Sequence, residues 1–321
     1  MDRILVIQTA FLGDVILATP VISELKRIFP NAKIEVLVKK GNESLLSNNP
    51  HLNRIHVFDK SNGKLSSILD LAKTFRAERF DLVINLHRFG SSGLITLLSG
   101  GKKKYGFKKN PFSFALTRSF KHNIGDGTHE VTRNLALIKE FGAVELRRPE
   151  LFPSDEHYNK VAPLTFGKYV CLAPASVWFT KQLPEDKWIE LINLRPQDER
   201  ILLIGGPADQ ELCQRIIDKS DRKEAMNLCG QLNLLESAAL MSKAKMNYVN
   251  DSGPLHIASA MNAPVTAFFC STVPAFGFGP LSDRSIIKEV QETLECRPCG
   301  LHGHRVCPKG HFKCGNMMDV N

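Results

Sequence analysis

Residues 4–29 read ILVIQTAFLGDVILATPVISELKRIF. The four apolar residues Ile4 to Ile7 form a short, continuous, strand-like run. Gln8 to Asp14 then form a loop holding one glycine, and an amphipathic stretch near 18–29 has helical spacing. A strand, a short loop and a helix in that order make the opening of a parallel α/β sheet. The same rhythm continues with strand-like runs at Ile34 to Val38, Ile55 to Phe58 and Leu82 to Leu86, and with helical patterns near 65–77 and 130–142. Between 147 and 168 it lapses into a polar segment broken by Pro149, Pro153 and Pro163, none of which can continue a helix or a central strand. The rhythm restarts with Tyr169 to Leu172, Ile201 to Ile204, Met246 to Val249 and Val265 to Phe269, with helical patterns near 186–194, 208–219, 235–243 and 255–262. We therefore expect two tandem α/β domains, residues 1–155 and 156–321.

Composition agrees with that division. A chain of 321 residues exceeds the usual length of one domain, and its 43% hydrophobic content can supply two cores. No repeat or low-complexity tract points to a solenoid or to disorder. The apolar start is broken by Gln8 and Asp14, which argues against a secretory signal, and no stretch is long and apolar enough to span a membrane. We expect a cytoplasmic protein in which disulfides are not assumed.

The net charge is +9, and Lys102, Lys103, Lys104, Lys108 and Lys109, followed by Arg118 and Lys121, form a basic stretch without an intervening acid. Phe107, Phe112, Phe114 and Phe120 interleave with it. That pattern suits peripheral contact with an anionic membrane surface, and equally a plain solvated face. No nucleic-acid motif accompanies the charge.

In doubly wound sheets ligands gather beyond the carboxyl ends of strands, which directs attention to four loops. In the first, a single glycine replaces the G-x-G-x-x-G of a dinucleotide site, and Asp14 reads as an ordinary first-turn carboxylate favoured by the helix dipole. The second, Ala173 to Lys181, offers small residues, Ser176 and a lysine, a set that can cradle phosphate or simply face solvent. Asp209, in Gly205-Gly206-Pro207-Ala208-Asp209, suits either a ribose acceptor or a helix cap. The fourth loop, Asn250-Asp251-Ser252-Gly253-Pro254-Leu255-His256, puts a proline where a helix starts, making its N-terminus an anion site, while Asp251 or Ser252 is placed to cap it. His256 reads as a structural, hydrogen-bonded side chain. No D-x-D occurs, so the usual acidic handle for a metal on a nucleotide diphosphate is missing.

Taken in order, LGDVILATP (Leu12 to Pro20), DLVINL (Asp81 to Leu86), HEVTRNLAL (His129 to Leu137), Lys181 ahead of Pro184, GGPAD (Gly205 to Asp209), LCGQL (Leu228 to Leu232) and DSGPLHIASA (Asp251 to Ala260) resemble glycosyltransferase family 9, the ADP-heptose:lipopolysaccharide heptosyltransferases. The resemblance runs through nearly the whole chain. It implies a GT-B fold, two Rossmann-like domains facing a central cleft, with the acceptor on the N-terminal domain and the nucleotide-sugar donor on the C-terminal one. It implies inverting transfer of heptose to the lipopolysaccharide inner core, with Asp14 as general base and Lys181 at the departing diphosphate, and with no cofactor. Ser176, Asp209, Asp251, Ser252, Gly253, Pro254 and His256 fall on the donor side, and Thr9, Gly13 and Arg133 on the acceptor side. His87, Arg88 and Arg133 fit acceptor phosphates or structural salt bridges equally. A lipid-linked anionic acceptor would give the basic stretch a partner at the inner face of the inner membrane. Transfer of another nucleotide sugar to a different surface glycan, and binding of nucleotide or glycolipid without turnover, remain the competing readings.

The tail places Cys296, Cys299, Cys307 and Cys314 among His302, His304 and His311. A metal site, reduced packed thiols and disulfides all fit this irregular spacing, and we rank packing first. Cys171, Cys213, Cys229 and Cys270 read as core.

Overall fold

The computed structural model describes residues 1–61 and 63–321. The chain divides into two units, Met1–Ile124 with Thr128–Phe152, and Gly125–Gly127 with Pro153–Asn321. The division precedes the expected 155/156 because Ser154 caps a helix that packs within the second unit.

The first unit runs β1 (Arg3–Gln8), α1 (Leu12–Ile16), α2 (Thr19–Ile28), β2 (Lys33–Lys39), β3 (Arg54–Phe58), α3 (Lys64–Glu78), β4 (Leu82–Asn85), α4 (Gly90–Leu98), β5 (Lys103–Phe107), β6 (Arg118–Phe120) and α5 (Glu130–Leu135). Its sheet is parallel, in the order β3-β2-β1-β4-β5-β6. Leu5, Ile7 and Val83 from the central strands meet Phe75 and Ile95 from the covering helices in one core. The inward faces are apolar because a parallel sheet is covered on both sides.

The second unit runs α6 (Asp155–Val161), β7 (Lys168–Ala173), α7 (Glu185–Asn193), β8 (Glu199–Leu203), α8 (Gln210–Lys219), β9 (Met226–Asn227), α9 (Leu234–Lys243), β10 (Met246–Asn250), α10 (Gly253–Ala260), β11 (Val265–Phe269), β12 (Ser285–Glu289) and α11 (Lys313–Asn316). Its strand order, β12-β11-β10-β7-β8-β9, is again parallel, and counted from its own first strand it is the same doubly wound topology. The tail does not hang off this unit. Phe312, Cys314, Met318 and Val320 lie in the core that holds Leu172, Trp188 and Phe268.

Several sequence expectations change. Strands β5, β6, β9 and β12 and helices α4, α6 and α11 had no reading, α6 falling inside the stretch read as a polar break, and the helix expected over 130–142 is α5 continued by a 3₁₀ segment, Ala136–Phe141. The basic aromatic stretch is not one surface. Phe107 is buried, Lys102 pairs with Asp81 at 2.7 Å, Lys104 Nζ donates to the Leu97 carbonyl at 3.1 Å, and Arg118 pairs with Glu140. Lys108 and Lys109 remain exposed, as does Phe114.

Candidate active site

In each sheet, chain connections leave the first and fourth strands in opposite directions, which opens a crevice at their carboxyl ends. Asp14 lies beside that point in the first unit, in the opening turn of α1, where its carboxylate accepts the backbone N–H groups of Phe11 and of Asp14 itself. Burial and then the nearby Glu130 carboxylate raise its pKa to about 6, against the opposing charge of Arg88. A carboxylate so tuned is a competent proton acceptor near neutrality.

The loop after β4 supplies the neighbouring groups. Thr9 Oγ1 and His87 Nδ1 are 2.8 Å apart, and the His87 N–H donates to Asn85 Oδ1 at 2.9 Å. Burial, with Arg88 and Lys60 adding to it, pushes the His87 imidazole down to about 4, so His87 is neutral at physiological pH. Arg88 Nη1 lies 3.3 Å from His122 Nδ1, and His122 Nε2 lies 3.0 Å from both carboxylate oxygens of Glu130. Arg133 is buried and holds Glu130 through Nε at 2.8 Å, while its guanidinium also donates to the Thr128 carbonyl. Of the two readings open for Arg133, the salt-bridged one describes its present geometry. Gly13, half-buried, precedes Asp14 in the same turn.

The second unit brings its two central loops together. Lys181 Nζ stands 2.8 Å from Asp251 Oδ2, although the residues are far apart in sequence, and both side chains are largely buried. Thr272 Oγ1 donates to the same Asp251 oxygen at 2.6 Å. Asp251 therefore does not cap α10. Ser252 occupies the capping position but makes no side-chain capping bond, and Gly253 and Pro254 open the helix. Ser176 is half-buried on the loop after β7, its carbonyl accepting Gln182 Nε2 at 2.6 Å. Asp209 accepts the Gly206 N–H at 2.8 Å and so braces its own turn; a Cβ on Gly205 would lie 2.8 Å from that carboxylate and 3.0 Å from Cys229 Sγ. His256 is buried in α10, its ring 6.5 Å from that of Phe278.

Three contributors escaped the sequence reading. Asn250, fully buried, accepts the Leu183 N–H at 2.9 Å and donates to the Pro174 carbonyl at 2.7 Å, fastening the second loop to the fourth. Thr272 and Glu130 are the others. Asn250 and Thr272 work through partners distant in sequence, which no spacing marks; Glu130 lies within the HEVTRNLAL stretch and bonds His122 and Arg133 close by in the chain, but its role there carries no local signal. All eight cysteines are free thiols, Cys213 and Cys229 in contact at 3.2 Å, and among the described residues no three His, Cys, Asp or Glu side chains gather as a metal site.

The first unit thus holds a carboxylate whose raised pKa suits proton transfer near neutrality, and the second, taken by itself, holds a lysine beside the start of α10. The family model for glycosyltransferase family 9 (heptosyltransferase) matches residues 68–307. Lipopolysaccharide heptosyltransferase 3 of Escherichia coli K12 is 30% identical over 282 residues, 82% of this chain and 81% of that one. Among solved structures, E. coli ADP-heptose lipopolysaccharide heptosyltransferase II matches with a TM-score of 0.80 and 21% identity, covering 98% of this chain and 97% of that one. An E. coli heptosyltransferase with ADP-2-deoxy-2-fluoro heptose matches at a TM-score of 0.71 and 22% identity, over 89% and 92% of the two chains. The chain belongs to glycosyltransferase family 9 and is a glycosyltransferase with the two-unit α/β fold of those enzymes.

Proposed function

We propose that this enzyme transfers heptose from ADP-heptose to the lipopolysaccharide inner core, with inversion and without a metal. The observation that carries the reading is Lys181 fixed beside Asp251 at the uncapped head of α10, a cation and a helix terminus converging where a diphosphate would sit. The relatives' names supply the sugar: they are lipopolysaccharide heptosyltransferases, and one related structure holds an ADP-heptose analogue.

In the reaction, Asp14 takes the proton of an acceptor hydroxyl and that oxygen forms a bond to the anomeric carbon. The bond from that carbon to the diphosphate breaks, and ADP departs with the electron pair. Lys181 and the α10 terminus stabilise the charge gained by the leaving group. Asp209 and Ser176 complete the donor side, while Thr9, Gly13 and Arg88 face the acceptor, with Arg133 holding Glu130 behind them. The absence of a D-x-D sequence supports leaving-group stabilisation by protein groups rather than by a metal.

The test is a product assay with ADP-heptose and defined core acceptors, with the anomeric configuration of the product read by NMR and a parallel reaction in chelator. Transfer with inverted configuration, undiminished by chelator, is expected. Failure to make product from any acceptor, retention of configuration, or activity restored only by a divalent ion would each defeat its part of the reading. Lys181→Ala is expected to lower kcat about 100- to 1,000-fold, as removal of an oxyanion-stabilising group does.

No helix among the described residues is long and apolar enough to cross a membrane. We place the enzyme at the inner face of the inner membrane through Lys108, Lys109 and Phe114, facing a lipid-linked anionic acceptor. Sedimentation with vesicles containing anionic lipid, reduced in a Phe114→Ser variant, checks this.

A further inference from the structure

The turn that carries Lys181 (Phe179–Lys181) is held from the cysteine-rich tail. Thr180, buried, donates its N–H to the His304 carbonyl at 3.1 Å, and its hydroxyl accepts the His304 N–H at 2.7 Å and the Ser271 hydroxyl at 3.1 Å. Gly303 lies flat on the lysine stem. A Cβ there would stand 3.0 Å from Lys181 Cγ, 3.0 Å from Thr180 Oγ1 and 3.3 Å from Trp178 Cβ, and its φ of +76° is one that glycine adopts without strain. The other member of the pair is reached from the same segment. Arg297 donates to the carbonyls of Phe269 (2.9 Å), Cys270 (2.6 Å) and Thr272 (2.8 Å), and Thr272 in turn bonds Asp251.

We propose that residues 297–304 of the tail form a clamp that positions the Lys181–Asp251 pair, with Gly303 and Arg297 as positioning residues for the donor diphosphate. A lysine side chain held along its stem before the donor arrives loses less rotamer freedom on binding. Misplacement by about 1 Å in such a site costs about 100-fold in rate. The inference rests on the reading of Lys181 given above.

The test compares full-length Gly303→Ala with Gly310→Ala. Gly310 has a similar φ of +74° in the same tail but nothing within 4 Å of its added methyl, so it carries the backbone strain without the contact. ADP affinity is measured by isothermal titration, kcat and KM with ADP-heptose, and thermal midpoints alongside. Gly303→Ala should weaken ADP binding or lower kcat about 10- to 100-fold relative to Gly310→Ala, with the acceptor KM unchanged. In a Lys181→Ala background the Gly303 substitution should have no further effect on ADP affinity, because the clamp acts through that lysine. Equal behaviour of the two glycine variants, or an additive loss in the double variant, overturns the clamp while leaving Lys181 in its role. If Lys181→Ala alone changes neither ADP affinity nor kcat, the lysine reading falls and the clamp falls with it.

Discussion

Asp14 is held in a state that works against folding. A carboxyl whose folded pKa, about 6, lies above its ordinary 3.8 binds its proton more tightly folded than unfolded. Its ionisation therefore costs stability progressively as pH rises from 3.8 to 6, and the full cost is present above that range. Asp14→Asn removes the charge, and we expect it to be more stable than the parent at pH 8 by about 1–2 kcal/mol, its partial exposure moderating the gain, and equally stable near pH 3.5. Denaturant titrations followed by circular dichroism at both pH values check this; a variant less stable at pH 8 contradicts it. The same pKa sets activity. With Asp14 as base, kcat/KM should rise with pH through an apparent pKa near 6 and level off above, and the variant should lose that limb together with about 100- to 10,000-fold in rate. Sequence could name Asp14, Lys181 and Asp251 because they sit in motifs. It could not show that Lys181 and Asp251 touch, or that the Glu130 charge reaches Asp14, since those placements come from sheet order and not from spacing.

The elements show where pattern reading works. Strands β1, β4, β7 and β8 are largely buried and read as short apolar runs, and β2 and β11 read the same way although each buries one polar residue, Glu35 and Thr266. Strand β5, KKYGF, starts on two lysines and contains a glycine, β12 is an edge strand with three exposed residues, and α4 opens GSSG, which reads as loop. Helix caps separate structural from vacant termini. Asn233 Oδ1 accepts the Glu236 N–H at 2.9 Å, and Glu236 returns the bond to the Asn233 N–H at 2.8 Å, closing the start of α9, whereas the Ser252 hydroxyl does not cap α10. Asn233→Ala should therefore cost about 1 kcal/mol of stability. Ser252→Ala should leave the denaturation midpoint unchanged and weaken ADP binding, and a loss of stability as large as that of the Asn233 variant would show that Ser252 is a cap after all.

At the scale of the whole chain, the same doubly wound topology occurs twice, and the second unit takes residues of the C-terminal tail into its core. Met318 is fully buried there, beside Phe312 and Val320, so the tail contributes apolar burial as well as backbone bonds to the lysine turn. The irregular cysteine spacing left metal, packed thiols and disulfides open with packing ranked first, but the apolar residues Phe312, Met318 and Val320 that share the core with Cys314 form no regular helical or strand pattern. Met318→Ala should cost about 2–5 kcal/mol, as truncation of a buried side chain that leaves a cavity does. Both tryptophans, Trp178 and Trp188, lie in this unit, so intrinsic fluorescence during denaturation reports on it. The expected result is a lowered fluorescence midpoint with an ADP affinity that, measured at a temperature where the variant is folded, stays close to that of the parent, because Met318 belongs to the core cluster and lies outside residues 297–304. A midpoint shift within about 0.5 kcal/mol, typical of surface substitutions, would mean that the tail is an appendage and not part of the core.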